Sequence, residues 1–76
     1  MKEKILVDTN LLLDDANVLY KLSKEYKKII IPLTVLKELD KHKYNKDLAY
    51  SARAALAAIL SFRKENPDRL LYHINE

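Results

Sequence analysis

Two apolar runs without polar interruption, Ile5-Leu6-Val7 and Ile29-Ile30-Ile31, constrain this chain more than any other feature. A strand with one wet face alternates apolar and polar residues. A strand buried on both faces of a parallel sheet reads as continuous apolar sequence instead. A third run, Leu70-Leu71-Tyr72-His73-Ile74, reads as another strand. Parallel neighbours need crossovers of about a dozen residues or more, usually helical. The segments between the runs are long enough and carry helical spacing. The first run stops abruptly at Asp8-Thr9-Asn10. Ligands of open α/β sheets bind beyond the carboxyl ends of the strands, so Asp8 stands where a site belongs.

The expected order is β-α-β-α-α-β. The first strand covers Lys4 to Asp8, and Leu11-Leu12-Leu13 reads as a buried connection. Asp14 or Asp15 caps a helix near Ala16 to Tyr26, with Val18, Leu19 and Leu22 on one face. Lys27 and Lys28 suit the negative end of its dipole. The isoleucine run is stopped by Pro32, which is tolerated at the start of a following helix. Thr34 is positioned to cap that helix, which runs to about Lys41. His42 to Lys46 reads as a polar loop. Asn45 or Asp47 then caps a longer helix to about Asn66, with an apolar stripe of Leu48, Ala52, Leu56, Ile59 and Leu60. Pro67 marks its stop. Strands alternating with helices give an α/β class with a parallel sheet and right-handed crossovers.

A chain of 76 residues makes one small domain, 1–76. It contains no Cys, so neither a disulfide nor a thiolate metal site supplements the core. It contains no Gly, which removes the phosphate-binding loops that need glycine where backbone meets phosphate. No apolar run approaches the roughly 20 residues of a membrane span, and no long apolar segment follows the charged N-terminus. The expected setting is cytoplasmic. The net charge of +3 permits contact with a polyanion without requiring it.

Asp8 closes the first strand, and Glu38 lies in the helix directly after the second. On neighbouring parallel strands both carboxylates reach the same end of the sheet. Hard oxygen ligands there suit Mg²⁺ or Mn²⁺, which keep waters and take substrate phosphates as further ligands. Such a cation activates water and neutralises charge in phosphodiester hydrolysis. Asn10 can orient a carboxylate or a metal-bound water, and Thr9 can hydrogen-bond the same cluster. Plainer readings stand beside these. Asp8 also suits an N-cap, Glu38 a solvated carboxylate paired with Lys41 or His42, and Thr9 and Asn10 a backbone-bonded turn.

Val7-Asp8-Thr9-Asn10 followed by Leu11-Leu12-Leu13 resembles the opening motif of the PIN-domain nucleases. Ile31-Pro32-Leu33-Thr34-Val35-Leu36-Lys37-Glu38-Leu39-Asp40 resembles their second motif, an apolar strand leading to an acid within a helix. Ser51-Ala52-Arg53-Ala54-Ala55-Leu56 resembles the helix of PIN domains fused to PhoH-type ATPases and of their stand-alone relatives. The resemblance runs from about Lys4 to Leu60. It implies a three-layer α/β/α parallel sheet and metal-dependent cleavage of RNA, less often DNA. It gives Asp8 and Glu38 as catalytic and metal-binding acids, with Thr9 or Asn10 assisting.

The resemblance also implies an incomplete fold of about three strands, the N-terminal part of a PIN domain. PIN domains place further acids after the third strand. Asp14, Asp15, Asp40, Asp47, Asp68 and Glu76 match none of those positions. The first strand, central in a PIN sheet, would carry an open apolar edge that a second copy or a completing segment can pair with. Two functions follow: a ribonuclease lacking part of its acidic cluster, or a catalytically incomplete module that binds protein or RNA. Lys37, Lys41, His42, Lys43 and Lys46 gather around one loop, with Arg53 a little beyond. Lys41, Lys43, Lys46 and Arg53 are candidates to hold an RNA backbone, with Tyr44 and Tyr50 placed to stack on bases. A solvated lysine face balanced by Glu38 and Asp40 is the other reading. His42 and His73 have no metal-ligand spacing and no site role.

Overall fold

The structure is a computed structural model that describes residues 2–73, and the side chains of residues 2–70. The elements are β1 (Lys2–Leu6), α1 (Thr9–Asp14), α2 (Val18–Leu22), β2 (Tyr26–Pro32), α3 (Leu33–His42), α4 (Ala49–Glu65) and β3 (Leu70–His73). The three strands form one sheet in the order β1-β2-β3. Both pairings are parallel, with Leu6 beside Ile30 and Ile29 beside Leu70. This is the α/β parallel arrangement expected from the apolar runs. Ile74, placed in the third strand by sequence, lies outside the described residues.

Several boundaries differ from expectation, each for a local reason. The Leu11-Leu12-Leu13 stretch is part of a helix, α1, rather than a plain connection; only Leu12 is fully buried, so one face of that helix meets the core. The next helix is short. Asp15 accepts the Asn17 backbone N–H at 2.9 Å and the Lys21 ammonium, making a turn before α2 begins. Those two partners, Lys21 foremost, hold the Asp15 carboxyl below its ordinary range. The stretch from Tyr26 to Lys28 belongs to β2, because Lys2 and Lys4 of β1 pair with Tyr26 and Lys28. Ladder pairing overrides the weak helical signal there. Pro32, extended at φ −61° and ψ 145°, takes the cap position of α3 in place of Thr34, without a side-chain cap bond. The N-cap of α4 is Leu48, while Asn45 accepts the Asp47 N–H at 2.9 Å in the preceding turn. At the far end the Asn66 backbone N–H and side-chain amide both donate to the Phe62 carbonyl, and Pro67 follows.

One core cluster joins all the elements, including Val7, Leu12, Leu19, Ile29, Ile31, Leu39, Ile59 and Phe62. Phe62 meets Tyr20 edge-on, ring centroids 5.3 Å apart. On α4 the buried stripe is Ala52, Ala55, Ile59 and Phe62, so Leu60 of the expected stripe is on the outside, 65% exposed. Small Ala52 and Ala55 let α4 approach α3 and α1 closely. Arg69, entering β3, donates to the carbonyls of Ser23, Tyr26 and Lys27 and ties the sheet to the α2–β2 turn.

Side chains alternate across a strand. Ile29 and Ile31 are fully buried toward the helices, with Ile5 and Leu70 beside Ile29. The intervening Leu6 and Ile30 do not join the core cluster, and Leu6 is 59% exposed. Right-handed crossovers taken twice in one direction put every helix on the same face. The described residues therefore build two of the three layers expected, one helical layer and the sheet.

Burying an aromatic side chain completely is worth several kcal/mol. Phe62→Ala is expected to cost about 3–5 kcal/mol, enough to unfold most of the population in a chain this small. Leu60→Ala is expected to cost under about 0.5 kcal/mol. Urea unfolding followed by circular dichroism distinguishes the two.

Candidate metal and phosphodiester site

The site is assembled at the carboxyl end of the sheet. Val7 donates its N–H to Ile30 at 3.0 Å, extending the ladder one residue past β1. Asp8 follows at once, extended at φ −92° and ψ 153°, in the N-cap position of α1. The plain reading of Asp8 as a capping side chain does not describe it, because its carboxylate makes no capping bond. Instead its carbonyl accepts the Leu12 N–H at 3.4 Å, and the residue is exposed.

Thr9 is the only buried polar residue in the described chain, 5% exposed. A hydroxyl out of water needs a partner. It finds one across 29 positions of sequence: Thr9 Oγ1 donates to Glu38 Oε1 at 3.0 Å. That bond joins the strand end carrying Asp8 to the middle of α3 carrying Glu38. Glu38 is exposed, and no ion pair among the described residues engages it or Asp8; the acids so engaged are Asp15, Glu3 and Asp40. The pairing of Glu38 with Lys41 or His42 is thus not among those ion pairs. Asn10 is exposed on the first turn of α1.

The Glu38 carboxylate, bound to the Thr9 hydroxyl, and the carboxylate of Asp8, the residue before Thr9, are hard oxygen donors. Mg²⁺ is commonly held by one or two carboxylates, with water and phosphate oxygens completing its shell. The donor chemistry fits Mg²⁺ or Mn²⁺. By number it is a partial set, since no group of three or more His, Cys, Asp or Glu among the described residues is placed to hold a metal.

The basic candidates divide. Lys43 is paired with Asp40 at 2.7 Å and lies 5.2 Å from the centre of the Tyr44 ring. The Asp40 carboxylate holds the Lys43 ammonium above its ordinary pKa and cancels much of its field. Lys41, Lys46 and Arg53 are exposed and take no part in the described ion pairs. Tyr44 and Tyr50 are 77% and 87% exposed. No described hydrogen bond or ion pair links any of these residues to Asp8 or Glu38. Sequence reading missed α1, the helix that carries Thr9 on its first turn. The available signal was Asp8 itself, a good N-cap immediately before it.

The Thr9–Glu38 bond can be measured without any metal. Thr9→Val and Glu38→Gln, alone and combined, are expected to show a coupling of about 1 kcal/mol in urea unfolding. Additive effects would mean that the bond contributes nothing to holding α3 against α1.

Neither a curated protein nor a solved structure matches the chain. No described helix is long and apolar enough to cross a membrane. A family model for the PIN domain matches residues 5–76, nearly the whole chain, and includes both Asp8 and Glu38. This chain belongs to the PIN-domain family.

Proposed function

We propose that this domain supplies part of a divalent-metal-dependent RNA phosphodiesterase site. The observation that carries this reading is the Thr9–Glu38 hydrogen bond, which fixes the acid of α3 beside the strand end that bears Asp8. Asp8 and Glu38 would hold Mg²⁺ or Mn²⁺, and Thr9 positions Glu38. Asn10 is in reach of the same strand end and serves to orient a carboxylate or a water. The cation, when bound, supplies an activated water and charge neutralisation at the scissile phosphate. PIN domains generally are nucleases that use divalent metals, and the donor set here is of that type.

Further acidic ligands come from outside residues 2–73 in this reading, from a completing segment or a second copy. The open edge of β1 is where either would pair, because its unpaired backbone groups are a template for a strand. Lys41, Lys46 and Arg53, with Tyr44 and Tyr50 between them, form the surface offered to RNA, and Lys43 contributes less because Asp40 is bound to it. Within the family, the segment Ser51 to Leu56 favours the PhoH-type subgroup, and the setting we propose is cytoplasmic.

A second reading has its own observation. Two acids without a third among the described residues suit a catalytically incomplete module that binds RNA or protein. Calorimetric titration of Mn²⁺ into the whole chain separates the readings. The metal-dependent site is expected to bind Mn²⁺, with Asp8→Asn and Glu38→Gln each weakening it by about tenfold or more. Heat that is absent in the wild type, or unchanged by both substitutions, would remove the metal site. Binding of a fluorescent RNA is a separate measurement. Its logarithmic dependence on salt should flatten by about 0.7 for each lysine–phosphate pair that Lys41→Ala or Lys46→Ala removes.

A further inference from the structure

The exposed flank of α3 beside Glu38 carries a stripe of cations that ends in an aromatic ring. Lys37, Lys41 and Tyr44 stand at i, i+4 and i+7, the spacing that puts side chains on one helix face. The winding of α3 continues past its last residue. Lys43 donates its N–H to the Leu39 carbonyl at 3.1 Å, and Tyr44 to the Lys41 carbonyl at 3.2 Å. All three residues of the stripe are exposed. Neither Lys37 nor Lys41 takes part in the described ion pairs. Lys41 follows Glu38 by three positions and is its neighbour on the helix surface. At the end of the stripe the Tyr44 ring is braced from one side. The Lys43 ammonium lies 5.2 Å from the ring centre, and Asp40 holds that ammonium at 2.7 Å. A cation over one face of a ring leaves the other as the stacking face.

We infer that Tyr44 is a stacking platform for one base of a bound RNA strand, with Lys37 and Lys41 on the phosphates beside it and Lys43, pinned by Asp40, bracing the covered side of the ring. The inference rests on the RNA reading above and gives one base its place within it. Tyr44 lies six positions beyond Glu38, about 9 Å along the helix axis at about 1.5 Å per residue. A stacked strand advances about 3.4 Å per nucleotide, so the platform takes a base about two to three nucleotides from the phosphate at Glu38. An acidic peptide fits this stripe less well. The large apolar side chains exposed among the described residues are Leu6, Leu11, Tyr44, Tyr50 and Leu60, and none is an aliphatic one from α3. The stripe offers cations and a π-face, which a nucleotide matches with its phosphate and its base.

The test uses the full chain in EDTA, with three labelled probes in fluorescence anisotropy: an oligoadenylate, an abasic strand with the same number of phosphates, and an oligoglutamate of the same charge. Tyr44→Ala is expected to weaken the oligoadenylate about tenfold, the scale of one base on one aromatic ring. It should leave the abasic strand unchanged. Tyr44→Phe keeps the ring and should bind as the wild type does. Lys37→Ala should weaken both strands alike and flatten their logarithmic salt dependence by about 0.7. Tyr44 is mostly exposed, so the circular dichroism spectrum should not change in any variant. Oligoadenylate binding that is absent, or unmoved by Tyr44→Ala, would overturn the inference. So would an equal loss for the abasic strand, or a Tyr44→Phe variant as weak as Tyr44→Ala. Oligoglutamate binding as tightly as oligoadenylate would reduce the stripe to a bare polyanion surface and overturn it equally. Because EDTA removes the cation, failure of the metal site appears only in the Mn²⁺ titration and leaves these outcomes unchanged.

Discussion

The parallel ladder between β1 and β2 is the constraint on which the remainder depends. Parallel pairing puts the carboxyl ends of both strands on one side of the sheet. Everything of chemical interest follows from what each strand runs into there. β1 runs into Asp8 and Thr9, and β2 runs through Pro32 directly into α3. With antiparallel pairing, Glu38 would leave from the opposite end of the sheet. Leu6 standing beside Ile30, with Val7 donating to Ile30, sets how far each strand extends before its loop begins. Thr9 can then reach Glu38 because both elements depart from the same edge at matched heights. The hydrogen bond is a consequence of register.

The parts of this fold legible in the sequence are those decided by burial. Ile29 and Ile31 are buried in the sheet, as is Val7 just past β1, and the long alanine-rich segment packs as a helix, whereas Leu6 and Ile30, which the unbroken runs also placed inside, stay outside the core among the described residues. Pro32 and Pro67 set the limits of elements that the structure respects. The misread parts are those where local preference and tertiary pairing compete. Tyr26 to Lys28 carries no strong strand signal, and becomes strand because β1 offers partners along its whole length. Leu11 to Leu13 reads as a buried connection by composition alone. It is helical because α1 starts right after Asp8 and seats Thr9 and Leu12 in the interior, with Leu13 packed against the core. At the site, residue types and their order pointed to the sheet's carboxyl end. What no sequence pattern could supply was the pairing of Thr9 with Glu38, which depends on two helices meeting.

The molecule is one-sided twice over. β1 is an edge strand with an unpaired side, and the sheet has one face without helices among the described residues. Both follow from one cause. A chain that crosses right-handed from β1 to β2 and again to β3 always moves in the same direction, and so lays its helices on one face. Only a reversal of direction, starting from the free side of β1, would add strands beyond β1 and helices on the bare face. Asp8 stands at the end of that same strand, and Glu38 of α3 is tied to it through the Thr9 hydroxyl. A ligand crevice in open α/β sheets forms where strand order reverses. The partial donor set and the open edge therefore have the same geometric origin.

This origin bears on what Asp8 and Glu38 can do before any completion. A carboxylate on a flexible loop must be ordered when it binds a cation. Glu38 is ordered already, because α3 fixes its backbone and the buried Thr9 hydroxyl fixes one of its oxygens. Accepting that hydrogen bond leaves the other oxygen open to a ligand. Asp8 is placed by different means, with the ladder ending one residue before it and α1 beginning one residue after. Its carboxylate makes no capping bond, so binding a cation would not have to break a cap. Both acids are thus held through backbone or a neutral donor, and no described ion pair neutralises either. That separates them from Asp15 and Asp40, whose carboxylates are taken up by Lys21 and Lys43. Asp14, Glu25, Asp47, Glu65 and Asp68 likewise take no part in the described ion pairs. What sets Asp8 and Glu38 apart is therefore position and not missing charge partners: one follows the end of β1, and the other is tied to that strand end by the Thr9 hydroxyl.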